Sequence, residues 1–96
     1  MARQPESILK TKVLADIRAL PNSYAVKIQQ VSIRGIPDIF ACINGNFVAI
    51  ELKKGPKEKP EPLQLHELAK IHGAHGLALV VDPTNWEEAL ALLKAL

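Results

Sequence analysis

The chain has 96 residues, of which 48% are hydrophobic and 23% charged, and its formal net charge is only +2. This length predicts a single domain, residues 1–96, with a modest hydrophobic core, and the composition excludes an intrinsically disordered chain. No apolar run approaches the roughly 20 residues that span a bilayer, and a single cysteine excludes an internal disulfide framework. We therefore expect an intracellular protein with no membrane partner.

Hydrophobic periodicity and turn signals divide the chain into seven elements. In chain order these are a helix at residues 5–20, strands at 24–33, 36–43 and 46–53, a helix at 63–72, a strand at 77–81 and a helix within 82–96. The apolar residues of the strand at 24–33 do not all fall on one face of the strand, which predicts a bulge near Gln29 and Gln30. Asp82 or Thr84 is expected to cap the last helix. The order αβββαβα predicts an α/β fold with a mixed sheet flanked by helices in two or three layers.

The dipeptide Asn44-Gly45 predicts a β-hairpin, because both central residues of a type I′ turn need positive φ. A two-residue loop sets Asp38 opposite Glu51 in a non-hydrogen-bonded pair, with Cβ atoms roughly 5 Å apart. Lys53 lies two residues beyond Glu51 and points to the same face. A three-residue loop would shift the register by one and separate the acids.

The two hairpin strands are apolar on both faces, so the sheet is expected to be covered on both sides. Cys42 lies in one of these apolar runs and is expected to be a small core residue.

The facing acids indicate a cation site. Two opposed carboxylates repel each other unless one is protonated or a cation joins them. Mg²⁺ typically binds one or two protein carboxylates together with water and phosphate oxygens. Such a metal would activate water and polarise a phosphate, while Lys53 orients the nucleophile or stabilises charge in the transition state. The alternative is structural: Asp38 begins a strand after Pro37, and Glu51 and Lys53 form an edge ion pair.

These motifs resemble a known superfamily. GIPDIF, followed thirteen positions after Asp38 by Glu51-Leu52-Lys53, resembles the PD-(D/E)XK nucleases. The glycine before Pro-Asp, the stretch FVAIELKKG, a proline-rich gap and LQLHELAKIHGAHGLALVV resemble its VRR-NUC group, the virus-type replication–repair nucleases, over roughly residues 6–81. The resemblance implies a PD-(D/E)XK nuclease-like mixed sheet and a stand-alone nuclease of phage or bacterial type.

The resemblance also implies an activity: metal-dependent, structure-selective endonucleolytic hydrolysis of phosphodiester bonds in branched DNA, such as four-way (Holliday) junctions. It further implies a homodimer that acts in the cytoplasm of a bacterial or phage-infected cell. Two alternatives stay open. One is a non-catalytic DNA-binding module on the same fold, which the intact trio of Asp38, Glu51 and Lys53 disfavours. The other is a sequence-specific, restriction-type nuclease, for which little chain is left for base readout.

The resemblance assigns roles residue by residue. It assigns catalysis to Asp38, Glu51, Lys53 and Gln64, and it assigns the metal, Mg²⁺ or Mn²⁺, to Glu6, Asp38, Glu51 and the main-chain carbonyl of Leu52. Glu6 has an ordinary alternative as a first-turn glutamate favoured by the helix dipole. Basic residues flanking the site become candidate phosphate contacts, or else a solvated surface: Arg34, Lys54, Lys57 and Lys59. His66, His72 and His75 are expected to be structural or surface residues.

Overall fold

The structure, a computed structural model, describes residues 5–29 and 32–96. The seven elements occur in the predicted order: α1 (Pro5–Arg18), β1 (Ser23–Lys27), β2 (Ile39–Ile43), β3 (Asn46–Leu52), α2 (Pro62–Gly73), β4 (Leu77–Val81) and α3 (Trp86–Lys94). Among the described helices, none combines the length and apolarity needed to cross a membrane.

The sheet is mixed, as predicted, with strand order β1-β2-β3-β4. The pairs β1–β2 and β2–β3 are antiparallel, and β3–β4 is parallel. A parallel pair needs a crossover connection, and α2 supplies it between β3 and β4. The strand that carries Glu51 therefore lies inside the sheet, with a neighbour on each side.

The main core lies between one face of the sheet and the pair of helices α1 and α3. Every second residue of β3 points into this core, namely Val48, Ile50 and Leu52. Trp86 of α3 is almost fully buried, and its Nε1 donates a hydrogen bond to Asp16 Oδ2 of α1 at 2.8 Å. The two helices are thus joined by a polar contact as well as by apolar packing.

Helix α2 packs on the opposite face, so the fold has three layers. Leu68 is the buried residue of this helix, and the helix lies over β3 and β4. It does not extend over the whole sheet, and the expectation that both faces are covered holds only in part. The prediction that Cys42 is a core residue is wrong: its side chain is exposed on the α2 face of β2, beyond the reach of the helix.

Two predicted strand boundaries, the end of β1 and the start of β2, differ clearly from the observed ones. β1 ends at Lys27, and β2 begins only at Ile39. The residues just before Asp38 include Gly35, with a φ of +83°, and Pro37, which has no N–H to donate, so these residues do not continue the β2 strand. Gln29 lies outside any strand, and Gln30, the other residue of the predicted bulge, lies outside the described residues.

The predicted caps of α3 are also wrong. The N-cap residue is Asn85, and no side chain caps this end. Asp82 and Thr84 instead bond to each other, with the Thr84 N–H donating to Asp82 Oδ1 at 2.7 Å. Asp82 therefore shapes the turn before the helix rather than its first turn.

Candidate active site

The hairpin brings Asp38 and Glu51 together. Asn44 and Gly45 have φ of 49° and 84°, the positive values that a type I′ turn requires. The predicted register is confirmed by every pair of the β2–β3 ladder, from Ile43 opposite Asn46 to Ile39 opposite Ile50. Asp38 is one residue beyond this ladder and therefore faces Glu51.

A hydrogen bond fixes the Asp38 carboxylate against β3. The Leu52 main-chain N–H donates to Asp38 Oδ2 at 2.7 Å, and the Asp38 carbonyl accepts from the Ile28 N–H at 2.8 Å. Asp38 is thus anchored on both sides, by its side chain to β3 and by its main chain to the segment after β1. Asp38 is half-buried, so the anchored carboxylate keeps an opening to solvent.

Glu51 and Lys53 are buried, which is unusual for charged residues. Only 3% of Glu51 and 8% of Lys53 is exposed. Both lie on the α2 face of β3, because they alternate with the core residue Leu52. Lys53 Nζ lies 3.5 Å from Glu51 Oε2. The expected ion pair is therefore present, but inside the protein and not at a sheet edge.

Gln64 joins the buried acid and the buried lysine. Its Nε2 donates to Glu51 Oε2 at 3.0 Å, and its Oε1 accepts from Lys53 Nζ at 2.9 Å. The same Oε1 accepts from the Glu61 main-chain N–H at 2.8 Å, at the start of α2. The amide therefore ties the N-terminus of α2 to both charged residues and fixes their orientation.

Gly35 allows the N-terminus of α2 to approach this closely. Its φ of +83° is one that residues with a side chain rarely adopt, and a Cβ at this position would collide with the Leu63 carbonyl and lie 2.9 Å from the Gln64 nitrogen. The glycine before Pro-Asp thus has a physical role: it lets the chain before Asp38 pack against the first turn of α2.

The surroundings of Glu51 favour its neutral form. Burial of the side chain, together with the charge of the neighbouring Asp38 carboxylate, raises the pKa of the Glu51 carboxyl from 4.5 to about 8, while the charge of Lys53 opposes this rise. Desolvation is the largest cause, because a carboxylate removed from water loses its hydration.

One oxygen of Glu51 is unsatisfied. Oε1 is buried and has no hydrogen-bond partner within residues 5–29 and 32–96, whereas Oε2 faces Gln64 and Lys53. An ionised carboxylate oxygen of this kind, beside a second carboxylate, needs either a proton or a cation. Carboxylate oxygens are the ligands that Mg²⁺ and Mn²⁺ prefer. The donor set of Asp38 and Glu51 therefore fits a hard divalent cation.

Glu6 lies near this pair but bonds elsewhere. Burial raises the pKa of the Glu6 carboxyl above its usual value, and a hydrogen bond with Glu58, the charge of Glu58 and the charge of Asp38 add to the rise. Glu6 thus shares a contact with Glu58, and no group of three or more acidic, histidine or cysteine side chains in the described part of the chain is arranged to hold a metal. The role of Glu6 as a metal ligand stays a prediction.

Sequence reasoning did not identify Glu58. Its Oε1 accepts from the Lys54 N–H at 3.2 Å, and this contact folds the proline-rich loop back toward the site. The loop has no periodicity, so no sequence signal placed Glu58 beside the first turn of α1.

The remaining candidates contribute either a main-chain group or an exposed side chain. Leu52 packs its side chain in the core on the opposite face of the sheet, so only its main chain can take part. The four predicted phosphate contacts, Arg34, Lys54, Lys57 and Lys59, are all exposed. His66, His72 and His75 are exposed as well, as expected for surface residues.

Comparison with solved structures identifies the fold. A structure described as "VRR_NUC domain" superposes with a TM-score of 0.81, covering 93% of this chain and 96% of that one at 22% sequence identity. The chain has the VRR_NUC fold. This match confirms the predicted mixed sheet flanked by helices. It also confirms, at the level of the fold, the resemblance to the VRR-NUC group.

Sequence comparison adds a relative that matches this chain over most of its length. "Putative nuclease p44" of Acyrthosiphon pisum secondary endosymbiont phage 1 is 29% identical over 86 residues, which cover 88% of this chain and 90% of that protein. No protein-family model matches the chain. The structural match and the sequence match each cover nearly the full length of both proteins compared.

Proposed function

We propose that this chain is a nuclease that hydrolyses DNA phosphodiester bonds with the help of Mg²⁺ or Mn²⁺. The single observation that carries the proposal is that Glu51 Oε1, next to Asp38, is buried and has no hydrogen-bond partner among the residues that the structure describes. The VRR_NUC fold and the relative named as a nuclease support the same conclusion.

Asp38 and Glu51 would hold the cation, with the Leu52 carbonyl and Glu6 as the further candidate ligands. A bound divalent cation supplies Lewis-acid polarisation of the phosphate and a more acidic water. Asp38 is already aligned for this role by the Leu52 N–H. Glu51 is held by Gln64 through Oε2, which leaves Oε1 for the cation.

Lys53 would stabilise the charge that develops on the phosphate. Its ammonium group is held between Glu51 and Gln64, so it is oriented before substrate arrives. Preorganised donors of this kind are worth far more in a buried site than in water. Gln64 acts through Lys53 and Glu51 and is a positioning residue in this scheme.

We further propose that the substrate is branched DNA and that the protein acts as a homodimer. A twofold axis relating two sites matches the symmetry of a four-way junction, in which two strands are cut. The exposed residues Arg34, Lys54, Lys57 and Lys59 would contact phosphates beside the scissile bond. A cytoplasmic location stays a prediction.

The test is a substrate panel. Labelled four-way junction, flap and linear duplex are incubated with the protein in Mg²⁺ or Mn²⁺, in parallel with Lys53→Ala and with Lys70→Ala. Lys70 pairs with Glu67 on the surface of α2 and serves as the matched control. We expect cutting of branched DNA by the wild type and by Lys70→Ala, and a loss of about 100-fold or more in Lys53→Ala.

Equal trace cutting by all three proteins would contradict the enzymatic proposal. Tight binding of DNA without cutting would instead support a DNA-binding module, and cutting of linear duplex at a fixed sequence would support a restriction-type nuclease.

A further inference from the structure

The loop between β3 and α2 turns its acid inward and its bases outward. Residues 54–60 include three lysines, two prolines and a single acidic residue, Glu58. Lys54, Lys57 and Lys59 are exposed, whereas Glu58 is half-buried. The loop therefore presents a basic surface to solvent and one carboxyl group to the body of the protein.

Glu58 makes two contacts that close this loop. Its main-chain N–H donates to the Gly55 carbonyl at 3.2 Å, which forms a β-turn with Pro56 at the second position, where proline is favoured. Its side chain also takes part, since Oε1 accepts from the Lys54 main-chain N–H at 3.2 Å. The chain directly after Lys53 is thus folded back by contacts to this one residue.

The Glu58 carboxyl group reaches the surroundings of the candidate cation site through Glu6. The carboxyl groups of Glu58 and Glu6 are in hydrogen-bonding contact, and the charges of Asp38 and Lys53 also act on Glu6. Glu6 belongs to the first turn of α1, so this contact links the loop to that helix. Glu58 therefore contacts a residue that is itself a predicted metal ligand.

A contact between two acids is not one that stability favours. Two carboxyl groups in contact repel each other when both are ionised, and three lysines lie close to Glu58 in the sequence. Yet within residues 5–29 and 32–96 no ion pair joins Glu58 to Lys54, Lys57 or Lys59. Local arrangements that lower stability are expected at functional sites. The contact with Glu6 therefore indicates a role at the cation site.

We propose that Glu58 is a positioning residue of the cation site, which holds the Glu6 carboxyl group beside Asp38. This inference rests on the proposed function, because it takes Glu6 as a ligand of the cation. Residues that orient a metal ligand are worth about 10- to 100-fold in metal affinity. Glu58 contributes to binding without touching the cation, and it couples the cation site to the loop that carries the candidate phosphate contacts.

Two substitutions separate the contacts of Glu58 from its charge. Glu58→Ala removes both the contacts and the charge. Glu58→Gln removes the charge, but its amide can accept from the Lys54 N–H and donate to Glu6. The difference in cation affinity between the two variants therefore reports the contacts alone. Glu88→Ala, at an exposed acid of α3, is the control for the loss of a surface charge.

The first test is calorimetric titration of Mn²⁺ into each protein at pH 7, without DNA. We expect Glu58→Ala to bind Mn²⁺ about 10-fold more weakly than the wild type, and Glu58→Gln to bind it about 5-fold more tightly than Glu58→Ala. Glu88→Ala should bind Mn²⁺ like the wild type. Circular dichroism melts verify that all variants are folded.

A double-mutant cycle with Glu6→Ala tests whether Glu58 acts through Glu6. Glu6→Ala should itself bind Mn²⁺ more weakly than the wild type. Because it leaves no carboxyl group for residue 58 to position, Glu58→Ala and Glu58→Gln should bind Mn²⁺ equally once Glu6→Ala is added to each. A difference between them of the same size with and without Glu6 would overturn the proposal.

The other outcomes contradict the proposal in different ways. Equal affinities of the wild type and Glu58→Ala would overturn it while leaving the proposed function intact. Equal weakening by Glu58→Ala and Glu58→Gln would show that the charge of Glu58 acts on the cation directly. Tighter binding by Glu58→Ala would show that Glu58 draws Glu6 away from the cation. A wild type that does not bind Mn²⁺ would overturn the proposed cation site itself, and this inference with it.

Discussion

At the scale of the residue, Glu51 combines the two properties on which the candidate site depends. Its side chain is buried, and its Oε1 lacks a donor within the described ranges. Both properties follow from the hairpin, which sets Asp38 opposite it, and from α2, which covers it. A neutral residue would be more stable at this position, so the proposed cation site would be one that lowers the stability of the metal-free protein.

The pKa of Glu51 predicts how stability depends on pH. Because its pKa is raised from 4.5 to about 8 in the folded protein, the folded state binds the proton more tightly than the unfolded state does. Metal-free protein should therefore lose stability as pH rises from 4.5 to about 8, with each unit worth up to about 1.4 kcal/mol. Glu51→Gln should remove most of this slope and be the more stable protein at pH 8. Urea denaturation in EDTA at several pH values measures the free energy of unfolding of both proteins. If this free energy depended on pH in the same way for the two, the raised pKa of Glu51 would be contradicted.

Gln64 provides a second test at this scale. Gln64→Ala removes three hydrogen bonds to Glu51, Lys53 and the Glu61 N–H, so we expect cleavage to fall by about 10- to 100-fold while the fold is kept. His66→Ala, at an exposed position of the same helix, is the control and should cut like the wild type. The rate of junction cleavage under single-turnover conditions is compared for the two variants. Equal rates would show that Gln64 does not contribute to the site.

At the scale of the element, the packing of α2 against the loop before β2 decides the geometry of the site. Gly35 lies where the two meet, with a positive φ and no room for a Cβ. Gly55 follows Lys53 by two residues, and a Cβ there would meet no atom within 4 Å. These two glycines differ in physical role although both flank the motif.

Gly35→Ala should therefore destabilise the protein by about 2 kcal/mol or more, since it adds both backbone strain and a clash with the Leu63 carbonyl. Gly55→Ala should change the free energy of unfolding by no more than about 0.5 kcal/mol. Chemical denaturation of both variants measures the difference. Similar free energies of unfolding for the two variants would show that stability does not require the close approach of α2 to Gly35.

The elements also show what the sequence could predict. Asn44-Gly45 fixed the turn, and with it the register that sets Asp38 against Glu51, because this dipeptide leaves few alternative geometries. The extent of β1 could not be predicted, since the residues that follow Lys27 are rich in the same apolar and β-branched residues as the strand and include no Gly or Pro before Gly35. The exposure of Cys42 was missed for a related reason: an apolar run is buried only where a helix covers it.

At the scale of the whole molecule, the sequence predicted the α/β architecture and the central acid pair, but not the contacts that loops bring to them. Glu58 approaches Glu6 from a loop without periodicity, and only the folded chain shows it. The exposure of Tyr24 and Cys42 on β1 and β2 likewise depends on the width of the sheet relative to a single helix. Local patterns predict elements, whereas the surroundings of a site depend on how several elements pack together.

The central claim, that Asp38 and Glu51 hold a divalent cation, is tested most directly by calorimetric titration of Mn²⁺ into the protein at pH 7. Performed in two buffers of different ionisation enthalpy, it reports both binding and proton release. Because the pKa of Glu51 is about 8 before binding, we predict saturable binding accompanied by release of close to one proton. Asp38→Asn should abolish this binding. Binding without proton release, or equal binding by Asp38→Asn, would contradict the account.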